Sequence, residues 1–213
     1  MTPTGTQGAP ARAAPSLALL VLLQALVSAA SLVVEIVAGR MLAPYVGMSL
    51  YTWTSVIAVV LTGFSAGHWA GGRIAGGDRQ SALRRTGLAM AAAAVTTGLA
   101  VFLLRGSAGP VLQSFASPIA AIVTLTAAAF FLPSFFAGIP APVLAHLSVT
   151  GSPDRPGQAL GAMFAAGAIG AIAGTLSAGF LFISWLGSIA TLIVIAVLYA
   201  AVAATLLVLS GRA

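Results

Sequence analysis

Three residues of the 213 carry a carboxylate side chain: Glu35, Asp78 and Asp154. Glu35 alone sits inside a long apolar run. A charge at bilayer depth is costly, and such residues usually face a bundle interior or a wet cavity. Gln24, Ser28 and Ser31 precede it, so four polar residues fall at i, i+4, i+7 and i+11. At about 100° per residue they share one helix face. That stripe is either a path for substrate or protons, with Glu35 as its ionisable group, or a seam of interhelical hydrogen bonds. Arg40 extends the candidate path. It stands roughly 140° round the helix from Glu35 and is not its natural partner there.

A second cluster lies in GGRIAGGDRQSALRR, residues 71–85. Arg73, Asp78, Arg79, Arg84 and Arg85 crowd one short connection. They either set topology alone or form a latch or docking loop, in which Asp78 caps a helix or pairs with arginine. The glycines make no phosphate cradle, because no strand precedes them and no Gly-Lys-Ser/Thr follows. His68 and His146 are single histidines far apart in the chain. Metal sites need several converging ligands, so no metal is expected. No Ser-His-Asp arrangement is readable, cysteine is absent, and no cofactor is implied.

The elements that must position these groups follow from composition. The chain is 60% hydrophobic and 6% charged. A soluble domain carries roughly 25% charged residues, so both a soluble globular domain and a disordered chain are excluded. The net charge of +6 does not point to nucleic acid, because the arginines are scattered over short connections. Six apolar runs, at about 16–40, 51–75, 84–104, 117–148, 158–183 and 187–210, are each long enough to cross the hydrocarbon layer as a helix. Alternation is absent and Ala and Leu dominate, which excludes strands.

The expected protein is an all-α integral membrane protein of about six transmembrane helices. Residues 1–15 are expected as a disordered tail and 16–211 as one six-helix domain. Arg12 ahead of the first run, with Ala29, Ala30 and Ser31 near its end, resembles a signal peptide. The run is long for one, and its removal leaves a conflicting charge pattern. With six spans, Arg12, Arg73, Arg79, Arg84, Arg85, Arg155 and Arg212 fall on one side, and Arg40 and Arg105 on the other. The positive-inside rule then gives N-in, C-in.

Within the spans, Pro133, Pro140 and Pro142 predict a kinked or broken fourth helix. Its FFAGIPAP stretch, residues 135–142, is either a cavity wall or part of a tilted helix. Gly63, Gly67 and Gly71 predict close packing of the second span. Gly157, Gly161 and Ala165, then Ala166, Gly170, Gly174 and Ala178, predict the same of the fifth. Tyr45, Tyr51 and Trp53 are expected as an interfacial aromatic belt.

The stretch EIVAGRMLAPYVGMSLYTWTS, residues 35–55, resembles the first hairpin of membrane-bound spermidine synthase-like proteins, often described as fused to a major-facilitator part. Gly63, Gly67, Gly71, Gly72 and Arg73 resemble that family's second span. Gly138, Pro140 and Pro142 resemble its fourth, and Gly161, Gly170, Gly174, Gly179 and Gly187 its fifth. The resemblance covers nearly everything from about residue 25. The hairpin motif is the specific part. Two departures stand out. The family's soluble aminopropyltransferase-like domain has no counterpart before Ala213, so no enzyme activity is expected. Ala165 and Ala166 stand where relatives often carry an Asn-Thr pair.

Gly76, Gly77, Asp78 and Arg79 also resemble the inner loop between the second and third spans of major facilitators. This implies a half-major-facilitator-like bundle with a conformational latch, which needs a second half. The expected function is a small transporter or transporter half in a bacterial inner membrane, for a polyamine or another small metabolite. The family name suggests polyamine. A polycation path should be rich in carboxylates, and a neutral, anionic or lipidic substrate fits this chain at least as well. The alternative is a non-catalytic anchor or regulatory subunit for a soluble synthase-like partner. Expected partners are the lipid bilayer, a second copy, or that soluble partner, and no nucleic acid.

Overall fold

The structure is a computed structural model that describes residues 15–213, so Arg12 and the expected tail up to residue 14 lie outside the described residues. The described residues are helical, with no strand among them. The first helix, α1, is Leu17–Val46, begun by Ser16, whose Oγ accepts from the Leu19 amide at 3.3 Å. It stops at Gly47, whose φ of 74° lies in a region that L side chains disfavour. Ser49 then caps α2, Leu50–Ala75, accepting from the Thr52 amide at 3.2 Å. Asp78 caps α3, Arg79–Ser114, accepting from the Ser81 amide at 2.8 Å.

The next run, Pro118–Thr150, is interrupted as its prolines predict. It comprises α4 (Pro118–Thr126), a π turn (Ala127–Phe131), α5 (Leu132–Gly138) and α6 (Pro140–Thr150). Pro133 has no N–H for the carbonyl four residues back, and the widened turn lies just ahead of it. Pro140 cannot donate to Phe136, so the Ile139 amide bonds Phe136 O at 3.3 Å instead of the carbonyl one residue earlier.

The last run, Pro156–Arg212, is 57 residues of helix in name. That length would reach about 85 Å, far beyond the ~30 Å hydrocarbon layer. It is broken instead. Helix α7, Pro156–Ser177, ends in a second π turn, Ala178–Phe182. Helix α8, Ile183–Arg212, is bent at Gly187, whose φ of 77° and ψ of 169° are not helical. The described residues therefore contain five runs long and apolar enough to cross a membrane, the last divided at this glycine. Helix α3 runs about ten residues beyond the expected 84–104, because Gly106, Gly109 and even Pro110 are accommodated within it.

Three packings organise the bundle. Helix α7 lies along α1, where Gly170 meets Ala25 and Gly174 meets Ala29. The contact advances in the same direction on both helices, so they run parallel. Helix α2 lies along α4–α6 in the same manner: Gly63 meets Phe131 and Ser134, Gly67 meets Phe135 and Gly138, and Gly71 meets Ile139 and Pro142. Helix α8 packs on α3 in the opposite sense. Gly87 meets Leu207, whereas Val101 and Leu104 share a cavity with Ser188 and Ile189.

The five expected packing glycines thus all meet a neighbouring backbone or side chain. The first half of the expected fifth-span stripe does not. Gly157, Gly161 and Ala165 are exposed, and a Cβ on either glycine would meet nothing within 4 Å. They lie on the face of α7 turned away from α1. Trp53 also departs from a simple belt residue. It is half-buried, and a Cβ on Gly39 would lie 2.8 Å from its ring.

Candidate functional site

The polar face of α1 is spent partly on packing. Ser28 Oγ donates to the Gly167 carbonyl of α7 at 2.7 Å. Ser31 Oγ donates to Val27 O at 2.8 Å and lies 3.2 Å from the hydroxyl of Tyr199 on α8. Gln24 differs from both, since its Oε1 is buried and has no hydrogen-bond partner among the described residues. An orphaned buried carbonyl is costly, and its amide nitrogen lies beside Gly167.

Gln24 opens onto a cleft between α1, α2, α5–α6 and α7. Two adjoining cavities of about 400 and 150 Å³ share Gln24, His68 and Ala141. Ser28 and Ser31 line the smaller one with Phe64. Pro142, Met163 and Phe164 line the larger. The proline break makes this wall, because Ala137, Ala141 and Ala145 sit in α5 and α6 on either side of Ile139. Irregular backbone at membrane depth is tolerated where protein or a water cavity covers it.

The lining carries no carboxylate and no guanidinium. Its polar groups are one amide, one imidazole and two hydroxyls already engaged. His68 stacks on Phe64, with ring centroids 6.4 Å apart and planes at 19°. Such a surface can hold an apolar body and hydrogen-bond one polar end. It holds no activated nucleophile. No group of three potential metal ligands occurs among the described residues.

The other expected site residues lie elsewhere. Glu35 is half-buried one turn beyond Ser31, lines neither cavity, and makes no ion pair or hydrogen bond with the described residues. Arg40 is exposed near the α1–α2 hairpin and lines separate cavities there. The cleft therefore brings together Gln24, Ser28 and Ser31, but not Glu35 or Arg40. It adds His68, which the sequence reading set aside as a lone histidine. The available signal was its position beside Gly67, at the edge of the glycine face.

In the α2–α3 connection, Asp78 is the helix cap described above. Arg73 stacks on Trp69, its Cζ 3.3 Å from the ring centroid. Arg84 and Arg85 are exposed on α3. Together with Arg79, Arg155 and Arg212 they mark one end of the bundle. Arg40 and Arg105 mark the other. The chain was compared with protein-family models, with curated proteins and with solved structures, and it matches none of them.

Proposed function

We propose that the chain is a six-span membrane protein acting as one half of a small-solute transporter, N-in and C-in, with the cleft at Gln24 and His68 as its substrate site. The observation that carries this reading is the cleft itself: an open, mostly apolar cavity at the proline break, lined in part by Gln24, whose buried amide oxygen has no partner among the described residues. The packing pattern supports it. An inverted repeat of three helices exchanges the parallel pair α1/α7 with the parallel pair α2/α4–α6. It maps the antiparallel pair α3/α8 onto itself. Half-transporters of the major-facilitator type are built this way. The hairpin motif of residues 35–55 supports membership of the spermidine synthase-like membrane proteins.

A substrate for this lining is uncharged, with an apolar body and a hydrogen-bonding end. A polyamine finds no carboxylate in it. The test is uptake by purified protein in proteoliposomes, using labelled spermidine, uridine and acetate as cationic, neutral and anionic probes. Saturable uptake of the neutral probe, with a raised KM in Gln24→Leu, is the expected result. Saturable spermidine uptake overturns the substrate class. No saturable uptake of any probe by folded protein overturns the reading. A second reading, an anchor for a soluble synthase-like partner, draws on the exposed Arg84 and Arg85. Retention of a soluble protein after mild detergent extraction, abolished by Arg84→Glu with Arg85→Glu, decides for it.

A further inference from the structure

The end of the bundle opposite the arginine-rich connection carries two guanidiniums on different helices, both lining one cavity. Arg40 of α1 and Arg105 of α3 border a space of about 210 Å³, together with Tyr45 and Ser188. Arg40 also borders a neighbouring cavity of about 490 Å³ with Trp53 and Ser184. Both arginines are exposed, and neither makes an ion pair or hydrogen bond with the described residues. No carboxylate lines either cavity. Asp78 and Asp154 belong to the opposite end, and Glu35 faces neither space. Two like charges on one cavity without a carboxylate in its lining repel one another, and an anion from outside the chain would relieve that repulsion.

The depth of the pair narrows its chemistry. Arg85 and Arg105 are separated along α3 by twenty residues, about 30 Å of helix and the thickness of the hydrocarbon core. Arg73 and Trp53 are separated along α2 by the same twenty residues. With the first of each pair at one interface, Arg105 and Trp53 reach the other, where lipid phosphates lie. Guanidinium groups bind phosphate oxygens with paired, charge-assisted hydrogen bonds. Tyrosine and serine hydroxyls add donors of the kind that complete such sites.

We propose that Arg40 and Arg105, with Tyr45 and Ser188, form a phosphate-binding site at this interface, occupied by the headgroup of an anionic lipid or by a soluble phosphate. Trp53 is a built-in reporter, because it shares the cavity that Arg40 borders. The experiment uses the full chain with Trp69→Phe and Trp185→Phe, leaving Trp53 as the one indole, in phosphatidylcholine vesicles. Brominated phosphatidylglycerol and brominated phosphatidylcholine are compared as quenchers, and inorganic phosphate is added at constant ionic strength.

The expected result is a preference for the anionic quencher on the order of ten-fold. It is lost in Arg40→Gln with Arg105→Gln and kept in Arg84→Gln with Arg85→Gln. Both double variants alter exposed positions, and both are checked for an unchanged helical spectrum. If phosphate alone shifts Trp53 emission and abolishes the preference, the site takes soluble phosphate as well. If phosphate has no effect, it is a lipid site. Equal quenching by the two lipids with no response to phosphate overturns the proposal. So does a preference that survives loss of both arginines.

Discussion

The hydroxyl of Tyr199 on α8 lies 3.2 Å from Ser31 Oγ on α1, inside the bundle. The direction of that bond follows from Ser31's other contact. Ser31 gives its proton to Val27 O at 2.8 Å, so Tyr199 donates and Ser31 accepts. Tyr199 is 1% exposed.

This direction makes the two truncations unequal. Tyr199→Phe removes the donor and leaves Ser31 bonded to Val27, at an expected cost of about 0.5–1 kcal/mol. Ser31→Ala strands a buried hydroxyl, at about 1–3 kcal/mol. Adding Tyr199→Phe to Ser31→Ala should therefore cost nothing further or restore stability. Reversible unfolding in mixed micelles measures all three variants. Additive losses in the double variant would show that the bond does not run from tyrosine to serine.

The glycines divide into two groups that sequence spacing does not distinguish. A Cβ on Gly67 would fall on the Phe135 carbonyl, and one on Gly174 on the Ala29 carbonyl. Neither backbone can yield without moving its helix. Gly67→Ala and Gly174→Ala should each destabilise by about 1–3 kcal/mol, the usual cost of overpacking. Gly161→Ala and Gly72→Ala, which open onto free space, should be neutral or slightly stabilising through better helix propensity. Melting temperatures in detergent separate the groups, and equal losses at all four positions would refute the parallel packings.

Gly161 also shows where legibility ended. Gly63, Gly67 and Gly71 could be read as a packing face because the motif needs only spacing. Gly157 and Gly161 carry the same spacing and face outward, because which side of a helix is covered depends on partners remote in sequence. The break at Pro140 was legible, since proline removes a defined hydrogen bond. The π turn at Ala178–Phe182 was not, since no residue in it lacks a donor. Gln24, Ser28 and Ser31 were legible as one face. His68 was not, because its place in the cleft depends on α2 lying against α5 and α6. Glu35 drew attention by its charge, yet the cleft stops one turn before it.

The division of the final run at Gly187 predicts a side for the C-terminus. The chain has no cysteine, so single cysteines report access cleanly. Gln80→Cys, Ser152→Cys and Gly211→Cys should be labelled by an impermeant maleimide from one face of the membrane. Met48→Cys and Ala116→Cys should be labelled from the other. If Gly211→Cys labels with Met48→Cys, the run from Pro156 crosses once, and both the six-span reading and the antiparallel packing of α8 on α3 fail.

The separation of Glu35 from the cleft predicts two different transport defects. Gln24 and His68 line the cavity that would hold substrate. Gln24→Leu and His68→Phe should therefore weaken binding, raising the KM for uptake by roughly ten-fold, the worth of one lost polar contact of about 1.4 kcal/mol. Glu35 lies a turn beyond the cavity, half-buried and without a partner among the described residues. If it carries the coupling proton, Glu35→Gln should leave KM and downhill exchange intact and abolish accumulation against a gradient. Uptake with and without an imposed proton gradient distinguishes the two. A Glu35→Gln variant that folds and still accumulates substrate would make Glu35 a packing residue. A raised KM in that variant would instead bring Glu35 into contact with substrate, and the binding site would have to extend one helical turn further along α1.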